Sequence, residues 1–205
     1  MSSGVIAVVR TDNPEFALTL GRGFSETAVD AIEITMTVPD ALKVIERLIG
    51  EGVKRVGGGT VRTVEQVRRL AKIGASFVVS PNLDEKIVKE AVNLGIPVTP
   101  GTMTPSEMVQ ALQWGASSQK IFPIGAIGGI SFVKSVLEPL PDLSLVISGG
   151  LRPHEVKSYL DLGCVGVCLG GALWRMEEVV GGDIGHVRAF ANQALAQVAL
   201  GAKTA

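Results

Sequence analysis

The chain has 205 residues, 46% hydrophobic and 19% charged, with a formal net charge of −1. That composition suits a globular chain long enough to bury a sizeable core, and the near-zero charge leaves no electrostatic footprint for nucleic acid or an anionic membrane. Aromatic residues make up only 4%, too few for base-stacking platforms, and no apolar run approaches the roughly 20 residues of a spanning helix.

Taken in chain order, short β-branched runs alternate with helix-period segments. The first strand is expected at "GVIAVVR" (4–10), with no basic stretch ahead of it and so no signal peptide expected. A helix follows in "NPEFALTLGRGFSE", with Asn13 as N-cap and Pro14 in the first turn. Then come strand "AIEIT" (31–35), helix "VPDALKVIERLIGEG" from Pro39-Asp40, and strand "VKRVGGG" (53–59). Helix "TVEQVRRLAKIG", strand "SFVVS" (76–80), helix "NLDEKIVKEAVNLG" and strand "GIPVTPG" (95–101) continue the alternation. The last third supplies helix "TPSEMVQALQWG", strand "QKIFPI" (119–124), strand "LSLVIS" (143–148), helix "RPHEVKSYLDLG", strand "CVGVCLG" (164–170) and an eighth helix over about 183–199. Helices begin on polar residues or proline and end on glycine. The strands are too apolar for an antiparallel sheet with one wet face, so they are expected to be parallel and buried on both sides. Eight such units in one chain close most economically into a single (β/α)8 barrel spanning residues 1–205. Cys164 and Cys168 share one strand face, where a disulfide is geometrically poor. They are expected to be reduced core residues of a cytoplasmic protein, and with only His154 and His186 in the chain no metal site is predicted.

Strand parity then picks out two polar residues. In "AIEIT", Ile32 and Ile34 face the helices while Ala31, Glu33 and Thr35 face the barrel interior; in "QKIFPI", Lys120 and Phe122 share a face. The same phasing sends Glu33 and Lys120 inward, where an unpaired charge is costly. A structural ion pair is one reading of these residues. The chemical reading is that a desolvated lysine favours its free amine, which condenses with a ketone to a Schiff base. The iminium is an electron sink for C–C cleavage, and a nearby carboxylate such as Glu33 moves the protons. This is class I aldolase chemistry, and it needs no cofactor.

Glycine-rich segments "GGGTV" (57–61), "SGGL" (148–151) and "LGGAL" (169–173) are expected at strand ends. In barrels of this kind the loops after the seventh and eighth strands frequently cradle phosphate. Glycine lets backbone N–H groups approach an oxyanion. Thr60 is placed to bond a smaller anion such as a carboxylate, and Arg10, closing the first strand, is a candidate anion clamp or a rim ion-pair partner.

Together "AVVR", "EITMTVPDA", "VGGGTV", "VVSPNLDE", "PVTPGTMTPSE", "QKIFPIGAIGG", "VISGGL" and "LGGALW" resemble the 2-keto-3-deoxy-6-phosphogluconate (KDPG) and 4-hydroxy-2-oxoglutarate (KHG) aldolases, with their 6-phosphogalactonate relatives. The likeness runs over nearly the whole chain. It implies a trimeric (β/α)8 barrel that cleaves a 2-keto acid or sugar-acid phosphate to pyruvate and an aldehyde. By the resemblance, Lys120 is the Schiff-base lysine, Glu33 the proton shuttle, and Thr60 with Arg10 the carboxylate site. Pro81 and Phe122 would shape the imine pocket, and Ser148, Gly149, Gly150, Gly170 and Gly171 the phosphate end. Thr37, counted among the substrate-binding residues, stands where many relatives carry arginine, Gly171 where a serine is usual, and Ile124 where a small residue is common; the helix that usually precedes the first strand is not expected. Two other readings use the same residues less fully: a sugar-phosphate isomerase or epimerase, which needs no inward lysine, and a non-catalytic metabolite-binding trimer.

Overall fold

The computed structural model describes residues 3–174 and 183–200. Residues 1–2, 175–182 and 201–205 of the predicted barrel lie outside the described residues. The strands are β1 (Val5–Val9), β2 (Ala31–Thr35), β3 (Val56–Gly59), β4 (Val78–Val79), β5 (Val98–Thr99), β6 (Gly101–Thr102), β7 (Gln119–Ile121), β8 (Leu145–Ile147) and β9 (Gly166–Leu169). The helices are α1 (Pro14–Ser25), α2 (Ala41–Gly50), α3 (Val64–Lys72), α4 (Glu85–Asn93), α5 (Pro105–Gln113), α6 (Gly129–Leu137), α7 (Val156–Asp161) and α8 (Ile184–Leu200). All strand pairings are parallel, in the order β5-β4-β3-β2-β1-β9-β8-β7-β6. Thus the predicted α/β barrel is the observed architecture, with two differences among its elements: a divided fifth strand and a helix, α6, not among the predicted ones.

The predicted fifth strand is two short strands. β5 pairs with β4 and β6 pairs with β7, and Pro100 joins them. Proline brings no N–H to a ladder, so a strand interrupts there. Its carbonyl still accepts from Lys120 N at 2.9 Å, and Val98 O accepts from Ser117 N at 3.0 Å. The two ends of the sheet order are therefore one continuous stretch of chain, and the barrel closes through it.

Helix starts follow the sequence grammar. The Asn13 side chain accepts from Phe16 N, Thr63 from Gln66 N, and Asp84 from Lys86 N and Ile87 N. Thr104 and Glu107 form a capping box. Helix α6 lacks such a signal: it begins on Gly128 and Gly129, both at positive φ and without a side-chain cap. It is accordingly absent from the predicted elements. The alternation predicted for β2 is present. Val8 pairs with Glu33, and Glu33 with Gly57, on the inner surface. On the outer surface Ile32, Ile34, Val56 and Val78 are buried under the helices. There Gly58 leaves room for Leu70 of α3, whose Cδ1 would lie 2.4 Å from an added Cβ. Helix α8 lies against α1, with Arg188 Nη1 bonded to Glu26 at 2.8 Å. Among the described residues, no helix is long and apolar enough to cross a membrane.

Candidate active site

The barrel wall brings Glu33 and Lys120 inside. Glu33 comes from the middle of β2 and is 4% exposed; Lys120 comes from β7 and is 6% exposed. Glu33 fits because β3 is glycine opposite it. A Cβ on Gly59 would stand 1.8 Å from Glu33 Oε1, and one on Gly57 would meet the ring of Phe77 at 2.5 Å. The glycine run of residues 57–59 is strand, as expected, and Thr60 follows at its end. Its glycines receive side chains, inward from Glu33 and Phe77 and outward from Leu70. Lys120 is flanked by Gly101 on β6 and Val146 on β8, and its Nζ lies 5.3 Å from the centre of the Phe122 ring. That is within cation–π range.

Burial pushes the Glu33 carboxyl above its ordinary value, because the charged form loses hydration. The charges of Lys120 and, less strongly, Arg10 pull the other way and do not cancel it. Cys168, on the inner face of β9, feels both Glu33 and Lys120, and burial pushes its thiol up to about 12. Both cysteines are free and buried, and Cys164 is likewise raised, to about 11.

Arg10 Nη1 donates to Thr37 Oγ1 at 3.0 Å and Nη2 to Thr60 Oγ1 at 3.0 Å. Thr60 holds φ 54°, a left-handed conformation costly for a β-branched residue and common at functional sites. Arg10 also lines a cleft of about 390 Å³ together with Val8, Phe122, Ser148, Gly149, Gly150, Leu151, Cys168, Gly170, Gly171 and Ala172. Seven residues predicted for the site thus share this cleft. Thr37 and Thr60 join it through Arg10, while Glu33 lies beside Val8 in the wall. Pro81 is not in the cleft lining; its backbone packs against Gly101, the neighbour of Lys120. The Ser148–Gly150 turn is tied to the exit of β7, with Ile124 N donating to Ser148 O at 2.9 Å. Gly149 has φ 106°, and a Cβ there would stand 2.9 Å from Pro123 Cα, so only glycine fits. Val8, Leu151, Cys168 and Ala172 were missed. Parity along β1 and β9 could have found Val8, two before Arg10, and Cys168, two before Gly170; Leu151 and Ala172 lie within the quoted "SGGL" and "LGGAL" segments but were not named as site residues. A larger cavity of about 560 Å³ lies between Arg152–His154 and α8, but it contains no buried ionisable pair. Among the described residues, no three His, Cys, Asp or Glu side chains gather as a metal site.

A buried amine and a carboxyl that face the barrel interior from strands on opposite sides, each beside a residue lining a cleft with glycine turns, suit imine chemistry on a small anionic keto compound. Comparisons with known proteins agree. The profile of the "KDPG and KHG aldolase" family matches residues 1–190. The chain is 34% identical over 179 residues to the 2-dehydro-3-deoxy-6-phosphogalactonate aldolase of Escherichia coli, covering 86% of this chain and 87% of that one. It is 32% identical over 177 residues to the 2-dehydro-3-deoxy-phosphogluconate aldolase of Haemophilus influenzae, covering 85% and 82%. A solved structure of KDPG aldolase from Legionella pneumophila, with pyruvate captured at low pH as a covalent carbinolamine intermediate, superposes with a TM-score of 0.82 at 26% identity over 94% of each chain. The chain belongs to the KDPG and KHG aldolase family of class I aldolases, which are carbon–carbon lyases.

Proposed function

We propose that the protein cleaves 2-dehydro-3-deoxy-6-phosphogluconate to pyruvate and glyceraldehyde 3-phosphate, with Lys120 as nucleophile and Glu33 as proton shuttle. The observation that carries this reading is the burial of Glu33 and Lys120 inside the barrel, each beside a residue that lines the glycine-rimmed cleft: Val8 pairs with Glu33, and Lys120 lies against Phe122. The free amine of Lys120 adds to the C2 ketone, and loss of water gives the iminium. Glu33 takes the proton of the C4 hydroxyl as the C3–C4 bond breaks. The bonding pair moves into the iminium to form an enamine, and the aldehyde leaves. Glu33 returns a proton to C3, and water hydrolyses the imine to pyruvate. A carboxyl held above the ordinary range suits both directions of transfer, since the driving force is small either way. The iminium is the electron sink, so the reaction calls on no cofactor.

Arg10 and Thr60 would hold the pyruvate carboxylate. Thr60 Oγ1 already accepts from Arg10, so its own proton is available to donate to the substrate. Phe122 and Pro81 would bound the imine pocket, with Thr37 steadying Arg10. Ser148, Gly149, Gly150, Gly170 and Gly171 would face the phosphate. A second reading keeps the chemistry and inverts C4: the similarity to the E. coli galactonate enzyme favours the 6-phosphogalactonate epimer. The reading includes a homotrimer, as the resemblance implies, and a cytoplasmic location, as expected from the reduced cysteines.

Incubation with pyruvate and borohydride should add one reduced pyruvyl group per chain, on Lys120, and Lys120→Arg should abolish it because a guanidinium cannot form the imine. An adduct on any other lysine, or none in native protein, overturns the reading. The ratio of kcat/KM for the two C4 epimers then decides between the substrates.

A further inference from the structure

The guanidinium of Arg10 spans three neighbouring strand exits. Arg10 follows β1, Thr37 lies just past β2, and Thr60 follows β3. A guanidinium only donates, so the Thr37 and Thr60 oxygens both accept from it, and each must send its own proton elsewhere. For Thr37 the partner is Thr35 Oγ1, at 2.9 Å. Thr35 Oγ1 in turn lies 3.1 Å from the carbonyl oxygen of Val9, which can only accept. The proton of Thr35 is therefore committed to Val9, the proton of Thr37 to Thr35, and Arg10 donates to Thr37. The chain of bonds has one direction. It is anchored on the backbone of the residue preceding Arg10 and ends on the head of Arg10 itself. Its inner member is rigid and dry: Thr35 is 0% exposed, whereas Thr37 and Arg10 are exposed.

We propose that Thr35 is a positioning residue, which acts through Thr37 to hold the Arg10 guanidinium at the angle where its remaining N–H groups meet the carboxylate of the 2-keto acid. This rests on the aldolase reading above. Thr35 does not line the cleft and takes no part in proton transfer. Without its hydroxyl, Thr37 is free to turn its proton to water, and the long Arg10 side chain must be ordered when the substrate arrives. Ordering a rotamer-rich side chain on binding weakens affinity and leaves the bond-making steps alone.

The dependence of borohydride trapping on pyruvate concentration gives a half-saturating concentration and a limiting rate. Thr35→Val keeps the side-chain shape; it should raise half-saturation about tenfold, the scale of one lost hydrogen bond. The limiting rate should stay within about twofold. Thr35→Ser should restore the native value, and Thr37→Val should reproduce the defect. In an Arg10→Lys background, which has no fork to position, Thr35→Val should add nothing. A Thr35→Val protein that melts earlier with unchanged half-saturation overturns the inference, as does a defect that persists in full beside Arg10→Lys. If Thr35→Val does not fold, the exposed Thr37→Val decides: unchanged half-saturation there also overturns it. Absence of any adduct in the native protein would instead sink the aldolase reading itself, so the two failures are distinguishable.

Discussion

Burial holds the Glu33 carboxyl above the ordinary 4.5, against the pull of Lys120 and Arg10. The folded chain therefore binds this proton more tightly than the unfolded chain. Below the unfolded value both states carry it. As the pH rises through the folded value, stability is lost, because the fold must then hold a desolvated carboxylate. Glu33→Gln removes that cost. Thermal melts of parent and variant should diverge in favour of Gln as the pH climbs above 4.5, while turnover falls roughly 10²- to 10⁴-fold. Near-normal turnover in the folded variant would remove Glu33 from the mechanism. At the other end of the cleft, Gly171 has ordinary φ, and an added Cβ would come no closer than 3.7 Å to Trp174 O. Gly171→Ser should therefore be accommodated. A hydroxyl facing the phosphate would favour phosphorylated over unphosphorylated substrate by about 1.5–3 kcal/mol at most. If the ratio of the two kcat/KM values stays put, the phosphate does not sit at the end of β9.

At the scale of the element, β3 shows how one glycine run serves two neighbours. Gly59 faces Glu33 and Gly58 faces Leu70, so alanine at the two positions should separate catalysis from packing. Gly59→Ala should fold, because its φ is ordinary, but its Cβ would take the space of the carboxyl and force it into another rotamer; kcat should drop on the scale of Glu33→Gln. Gly58→Ala should cost about 1–3 kcal/mol by overpacking against α3 and leave kcat close to native. Urea melts and steady-state rates on the pair check this, and equal kcat losses in both would sink the assignment. That Gly57–Gly59 end a strand was legible in "VKRVGGG"; why they must be glycine was not. The reason is the bulk of Glu33, Phe77 and Leu70, which come from other elements and leave no local trace. Parity alone made Glu33 and Lys120 legible, since alternation on a buried strand is a local property. The Thr35–Thr37–Arg10–Thr60 chain was legible only in part: it depends on how three strand exits converge.

For the whole molecule, the alternation of apolar strands and capped helices was enough to predict the barrel, because most βα units carry their own start and stop signals; α6, which begins on Gly128 and Gly129 without a cap, does not. The break at Pro100 was not predicted, although that proline brings no ladder N–H; that the two halves pair with different strands, β4 and β7, is not a local property. Assembly is a separate question. The barrel leaves Val92, Leu94 and Leu112 at the ends of α4 and α5 exposed by 36% or more, together with Met103, Ile130 and Phe122, the last in the cleft lining. Apolar side chains scattered over a surface are ordinary, but grouped ones are candidates for contact with another chain. The resemblance implies a closed ring of three copies, in which every subunit makes the same head-to-tail contact. Light scattering or native mass spectrometry should therefore report three times the 21.4 kDa chain mass. Because a ring has no free ends, that mass should hold on dilution until subunits dissociate, without growing into larger species as concentration rises. A monomer at working concentration, with full aldolase activity, would show that the barrel is complete alone and that the trimer does not carry over to this chain.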